Sequence, residues 1–381
     1  MNKPKISFLS KNELEAVHNA SLEVLENTGV KIMSDKALDI LKEAGAKVDY
    51  GKNHAIIPRS LVEEALKRAP KTIKYCARNP KYDFLLNKQE PHFCAEGGSP
   101  FILDWETGKR RYSTSEDIAR CARVADYLDH VNLLWPLAGA ADVPCPMQNI
   151  VGMYTSLRNS EKHLEGDIMS AKEAQYEIEI AAAIVGGKEE LKKRPIFSVV
   201  ACSISPLRHE KGTMEGAIEL ARAGIPVVIY PMPMAGTTGP VTLAGTMVIS
   251  NTEFLSGLVV LEFASPGAPV VYAAEASAVD SKTGIGIESP ENSLMDLALH
   301  QLARYYDLPT EVEVSCSASK LLDAQAGYQK AISLIPHTLT APDIILGLGA
   351  LEGARITSPE AMVIDNEIID YALRFVKGLE V

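Results

Sequence analysis

From about residue 92 onward, short apolar runs alternate with longer amphipathic stretches. The runs fall near 93–95, 131–135, 163–165, 197–201, 227–230, 270–273, 311–314 and 344–346. An unbroken apolar run reads as a strand buried on both faces, and apolar residues recurring at i, i+3 and i+4 read as a helix. The second pattern predicts helices near 115–128, 147–158, 171–186, 209–223, 241–264, 291–306, 321–335 and 358–377. Several open on capping signals: Ser115 before Glu116 and Asp117, Ser170 three residues before Glu173, and Ser358-Pro359-Glu360 with proline at the first helical position. Eight strand–helix units spaced by about 30 to 40 residues select a closed parallel (β/α)8 barrel over an open sheet. The first strand (Phe93-Cys94-Ala95-Glu96) and the third (His163-Leu164-Glu165-Gly166) carry the weakest pattern, each short and interrupted by polar residues.

Ahead of these units the chain reads as helical. Ser10-Lys11-Asn12-Glu13 resembles a capping box, and Leu14, Val17, Leu22, Val24 and Leu25 give an apolar stripe that Gly29 ends. Stretches 34–44 and 60–68 repeat the pattern, and Pro70 stops the last. Alternation at Tyr82, Phe84 and Leu86, and the Asp104–Gly108 turn between Phe101-Ile102-Leu103 and Arg111-Tyr112, predict strands over 82–112. The expected organisation is a helical extension over residues 1–90 packing on a barrel over residues 91–381.

Composition narrows the function. A formal charge of −11 without a Lys/Arg-rich run argues against nucleic acid. The six cysteines form no CxxC pair, so they read as reduced cytoplasmic thiols, and no spacing points to a metal. The N-terminal residues lack the apolar core of a signal peptide, and apolar runs such as 180–185 and 258–261 are too short to span a bilayer. The expectation is a cytoplasmic enzyme acting on a small molecule, with neither membrane nor nucleic acid as partner; a homo-oligomer is allowed.

In such a barrel the loops after the strands build the active site. Those positions hold Glu96, Trp135, Glu165, Tyr230 and Glu275 as candidate substrate-binding residues. Buried carboxylates are costly unless paired, and few lysines or arginines stand at these strand ends, so a cationic ligand suits them. A quaternary ammonium offers no hydrogen bond, and aromatic faces with a carboxylate hold it best. Tyr272, inside a strand, reads as core. Gly236, Thr237 and Thr238 in the loop after the fifth strand, with Gly347 and Gly349 after the eighth, are candidates for contact with a large cofactor.

The stretch Ser317-Ala318-Ser319-Lys320-Leu321-Leu322-Asp323-Ala324-Gln325-Ala326-Gly327-Tyr328-Gln329-Lys330 resembles the S-x-x-K-x-x-D-x-Q-A-G-x-x-K signature of the trimethylamine methyltransferase family. Asp280-Ser281-Lys282-Thr283-Gly284, Ser289-Pro290-Glu291, Gly349-Ala350-Leu351-Glu352 and Val363-Ile364-Asp365-Asn366-Glu367-Ile368 are also similar to that family, and a looser likeness runs over nearly the whole chain. The resemblance implies a barrel that moves a methyl group from a methylated amine to the cobalt of a cobalamin-type corrinoid carried by a small partner protein. It also implies a chain that continues further beyond the last helix. The trimethylamine enzymes carry pyrrolysine just before the signature, where this chain has Ser315. That is similar to members lacking pyrrolysine, which demethylate quaternary amines such as glycine betaine; no covalent role is expected of Ser315. The other readings are a lyase or aldolase using Lys320 as a Schiff base, and a betaine- or corrinoid-binding barrel without catalysis.

Overall fold

The computed structural model describes residues 6–284, 286–314 and 316–379. Ser315, singled out above, lies outside the described residues. Eight parallel strands close into a barrel: β1 (His92–Ala95), β2 (Val131–Leu134), β3 (His163–Asp167), β4 (Phe197–Cys202), β5 (Val227–Tyr230), β6 (Val270–Ala273), β7 (Thr310–Glu313) and β8 (Ile344–Leu348). The helices that follow them are α1 (Ser115–Tyr127), α2 (Gln148–Asn159), α3 (Ala171–Val185), α4 (Lys211–Arg222), α5 (Leu243–Ala264), α6 (Pro290–Tyr305), α7 (Ala324–Thr340) and α8 (Pro359–Val376). A short helix, Lys188–Lys193, follows α3. By packing, the chain divides into two compact units, one of Lys74–Gly166 and Glu311–Val381, the other of Ser7–Ile73 and Asp167–Thr310.

In the first unit, β7, β8, β1, β2 and β3 pair in that order. The register aligns Ala95 of β1 with Leu134 of β2, and Leu134 with Leu164 of β3. At the amino ends of the strands an aromatic floor forms. Tyr75 stacks on His163 with ring centroids 4.2 Å apart, and Phe84 meets His92 at 4.2 Å. The His163 ring is bound through Nδ1 to the Cys76 carbonyl at 2.7 Å, and burial pushes its pKa down to about 3. At the other end, Phe101–Leu103 and Arg110–Tyr112 make the predicted hairpin, with Asp104 accepting from the Thr107 amide in its turn.

The second unit packs around α5, which is buried along nearly its whole length. This helix is long and apolar enough to cross a membrane, but 78% of its most apolar window is covered by protein, as in a core helix. The helices Lys11–Glu23, Asp35–Ala44 and Arg59–Arg68 lie against it. Asn251 of α5 donates to Ser21 Oγ (2.8 Å) and Tyr306 Oη (3.0 Å), and accepts from Tyr272 Oη (3.1 Å). Tyr272 is thus core, packed on Phe254.

The amino-terminal region is not purely helical. Val30–Ile32, His54–Ile56 and Lys47–Asp49 pair as a small antiparallel sheet, and Arg208–His209 adds in parallel to its other edge. Strands of three residues are too short for alternation to register in the sequence.

Candidate active site

In the first unit the site grows from register. Glu96, Trp135 and Glu165 each follow the aligned row Ala95, Leu134 and Leu164, so three adjacent strands present them at one level. Backbone bonds hold the row: the Trp135 amide donates to Ala95 O (3.2 Å) and the Glu96 amide to Leu348 O (2.9 Å). All three side chains are buried. The indole of Trp135 lies over Gly97, where a Cβ would fall 2.0 Å from the ring. Only glycine leaves that space.

Two more glutamates join them from β7. Glu311 and Glu313 flank Val312, so the alternation of a strand puts both on one face. Glu311 is fully buried, and its carboxyl is pushed far above the usual range, first by burial and then by the charge of Glu165 and a hydrogen bond to it. Glu96 and Glu313 push it the same way. The Cys94 thiol is raised by burial and by Glu165, Glu311 and Glu96. A cluster of this sign, remote from water, favours a positive ligand.

Glu96, Glu313 and Cys316 bring one donor atom each within 4.8 Å of one another. Cys316 donates its thiol hydrogen to Glu313 Oε1 at 3.2 Å. Cys316 thereby belongs to the hydrogen-bonded wall of the cluster.

The segment after β7 is built as a scaffold. Asp323 caps α7 through the Ala326 amide (3.0 Å), while Gln329 Oε1 accepts from Ser317 Oγ (2.8 Å) and the Ala318 amide (3.1 Å). Lys330 and Asp365 form an ion pair of 2.9 Å with almost no exposure, and Asp365 also accepts the Gly349 amide at 2.7 Å. At Gly347 a Cβ would fall 1.7 Å from Val314 O, at a φ of +119°. Gly347 and Gly349 therefore serve the close packing of β8. Lys320 is largely exposed and pairs with Glu352 at 3.4 Å. A Schiff-base lysine needs a desolvated amine, which this one is not.

In the second unit, Tyr230 is buried at the end of β5 and Glu275 is half-buried after β6, with its carbonyl accepting from Ser250 Oγ at 3.0 Å. The loop after β5 turns at Gly236, whose φ is +92° with open space where a Cβ would stand. The Gly236 amide donates to Gly239 O (3.2 Å), and Thr238 Oγ1 accepts the Met234 amide (2.9 Å). Gly236 and Thr237 are exposed at the tip, beside exposed Met232 and Val241. That rim suits contact with a large partner more than enclosure of a small ligand. Nearby, Glu253 of α5 accepts from Ser203 Oγ, Ser205 Oγ (2.8 Å) and the Leu207 amide (2.7 Å). Burial raises its carboxyl, and those bonds oppose the rise.

Sequence reasoning places Glu96, Trp135 and Glu165 together, and Cys316 at the end of the seventh strand, but misses Glu311 and Glu313. The signal was present in Glu311-Val312-Glu313-Val314, where a period of two sets both glutamates on the inward face.

Comparison with known proteins adds lineage. A family model described as trimethylamine methyltransferase (MTTB) matches residues 1–381. A trimethylamine methyltransferase of Desulfitobacterium hafniense is 35% identical over 377 residues, covering 99% of this chain and 76% of that protein. A glycine betaine methyltransferase of Desulfitobacterium hafniense (strain Y51) is 32% identical over 378 residues, covering 98% and 78%. Among solved structures, the monomethylamine methyltransferase of Methanosarcina barkeri superposes with a TM-score of 0.65 at 11% identity, over 98% of this chain and 76% of that one, a likeness of fold.

Proposed function

This chain belongs to the trimethylamine methyltransferase family, and from that premise we propose that it moves a methyl group from a quaternary amine of the betaine kind to the reduced corrinoid of a small partner protein. The observation that carries the reading is the group of buried Glu96, Glu165 and Glu311 with half-buried Glu313 beside them, walled by Trp135. A fixed cation compensates those carboxylates without needing a hydrogen bond, and the indole face adds to its hold. The relative named as a glycine betaine methyltransferase supports the same substrate class.

The chemistry asks little of the protein beyond placement. The reduced cobalt of the partner's corrinoid supplies the nucleophile. A quaternary nitrogen already carries full charge, so the C–N bond breaks with its electron pair staying on nitrogen and the departing amine is neutral. No general acid is needed for that departure. Glu96 and Glu165 hold the ammonium, Trp135 fixes its orientation and helps exclude water, and the reaction gains from the alignment so enforced. The exposed loop at Gly236, Thr237 and Thr238 is the rim that meets the corrinoid-bearing partner. The reading places the enzyme in the cytoplasm, supported by six cysteines that all stand as free thiols.

The test mixes the protein with cobalamin reduced to cob(I)alamin and a panel of methylated amines, and follows the absorbance of methyl-cobalt. Glycine betaine or another quaternary amine gives the signal and trimethylamine does not. A signal from trimethylamine alone sinks the assignment. Trp135→Ala raises the dissociation constant for the productive amine by more than about tenfold if the indole contributes as a cation–π partner.

A further inference from the structure

The barrel interior holds a carboxyl group that no ordinary donor reaches. Glu311 is fully buried, and among the described residues no amide, amine or hydroxyl donor meets either of its oxygens. The group it faces is Glu165, close enough for a carboxyl–carboxyl hydrogen bond. Glu165 stands on β3 and Glu311 on β7, with β8, β1 and β2 between them in the sheet. The two therefore meet across the inside of the barrel rather than as neighbours along its wall.

Two facing carboxylates have no hydrogen to share unless one of them is protonated. Among the described residues, Glu96 just after β1 and Glu313 on β7 act on Glu311, and Cys94 on β1 lies in the same field. The carboxylates among them oppose a second negative charge on the pair, and so does burial. A proton held between Glu165 and Glu311 answers both the missing donor and the excess of negative charge.

We propose that the Glu165–Glu311 pair holds one proton while the site is empty and releases it when a quaternary ammonium enters, so that the substrate binds in exchange for a proton. The inference rests on the substrate class assigned above and adds Glu311 as the residue that sets the exchange. The balance is simple: the empty pair carries one negative charge and one shared proton, the occupied pair carries two negative charges, and the proton goes to solvent. The cation replaces the proton's charge, so the net charge of the site is unchanged. Affinity for a fixed cation then rises about tenfold per pH unit over the range in which the pair keeps its proton when empty.

Two measurements on the intact protein test this. Infrared difference spectra of the empty protein at neutral pH show the C=O band of a protonated carboxyl, which Glu311→Gln removes and which saturating glycine betaine or tetramethylammonium also removes. Calorimetric titration with the same two cations, in buffers of different ionisation enthalpy, gives one proton released per cation bound. Glu311→Gln still binds the cation but releases none, and its affinity no longer changes with pH; a merely structural role for Glu311 would not move the proton count. Absence of the protonated band in the wild type overturns the proposal whatever binds. Binding without proton release overturns it and leaves the substrate class standing. Failure of the wild type to bind any quaternary cation, with the band present, removes the substrate class and the exchange together. If Glu311→Gln does not fold, the two wild-type measurements still decide.

Discussion

Two buried glutamates, one in each compact unit, mark the difference between a carboxylate that belongs to the architecture and one that awaits a ligand. Glu253, in the second unit, receives three hydrogen bonds, from Ser203, Ser205 and the Leu207 amide. Glu311, in the first, receives none from an amide, amine or hydroxyl among the described residues and faces the carboxyl of Glu165. Both are as remote from water as any group in the protein. Burial alone therefore says nothing of role; the census of donors does. Where every lone pair is answered, removing the group costs stability. Where it is not, removing it relieves a penalty and costs function.

The largest effect tests a buried carboxylate held by an ion pair. Asp365 balances Lys330 and accepts the Gly349 amide, so Asp365→Ala strands a buried ammonium and loses about 3–5 kcal/mol of unfolding free energy in denaturant titration. Glu253→Ala leaves three donors without an acceptor and costs about 2–3 kcal/mol by the same measurement. A loss below about half a kcal/mol would erase the contrast between the two glutamates.

Histidines extend the test to both units at once. His163 in the first unit and His209 in the second have pKa values pushed by burial to about 3 and about 4. Both lie below the ordinary 6.5, so the unfolded chain takes up protons first as pH falls. The stability they contribute is complete above pH 6.5 and is lost as pH drops toward those values, at up to about 1.4 kcal/mol per pH unit for each. Denaturation midpoints measured from pH 7 to pH 5 show the decline, and His163→Gln removes one proton from its slope. Glu311→Met, by contrast, changes unfolding free energy by less than about 1 kcal/mol or raises it, while quaternary-amine binding falls. A loss as large as that of Glu253→Ala would return Glu311 to the architecture. The smallest effect belongs to Lys320→Ala. Its exposed ion pair with Glu352 is worth less than about half a kcal/mol, and methyl transfer persists; abolished turnover in a folded variant would revive covalent chemistry at that lysine.

Much of the barrel could be read from the chain because each strand is an apolar run and most helices open on a capping residue. All eight strands stand within a residue or two of where the pattern puts them, including the two weakest, His92–Ala95 and His163–Asp167. The small amino-terminal sheet escaped because strands such as Val30–Ile32 offer only one alternation. At the site, polar residues that interrupt or end an apolar stretch were legible and an alternating pair was not. Glu96, Trp135 and Glu165 follow apolar residues of their strands and stand out, whereas Glu311 and Glu313 alternate with Val312 and Val314 in a pattern equally suited to an exposed strand face, and another carboxyl facing Glu311 gives that alternation its meaning. The motif from Ser317 to Lys330 was legible as lineage, but its work is physical support. Ser317, Asp323, Gln329 and Lys330 hold the segment after β7, and none of that follows from spacing alone.

The contact between Trp135 and Gly97 has a practical consequence for anyone reshaping this pocket. Because the indole occupies the volume that any side chain at 97 would need, variation at that position evicts the tryptophan from its place beside Glu96. Variants meant to probe Trp135 should therefore hold residue 97 constant and change position 135 alone, so that the two effects stay separate.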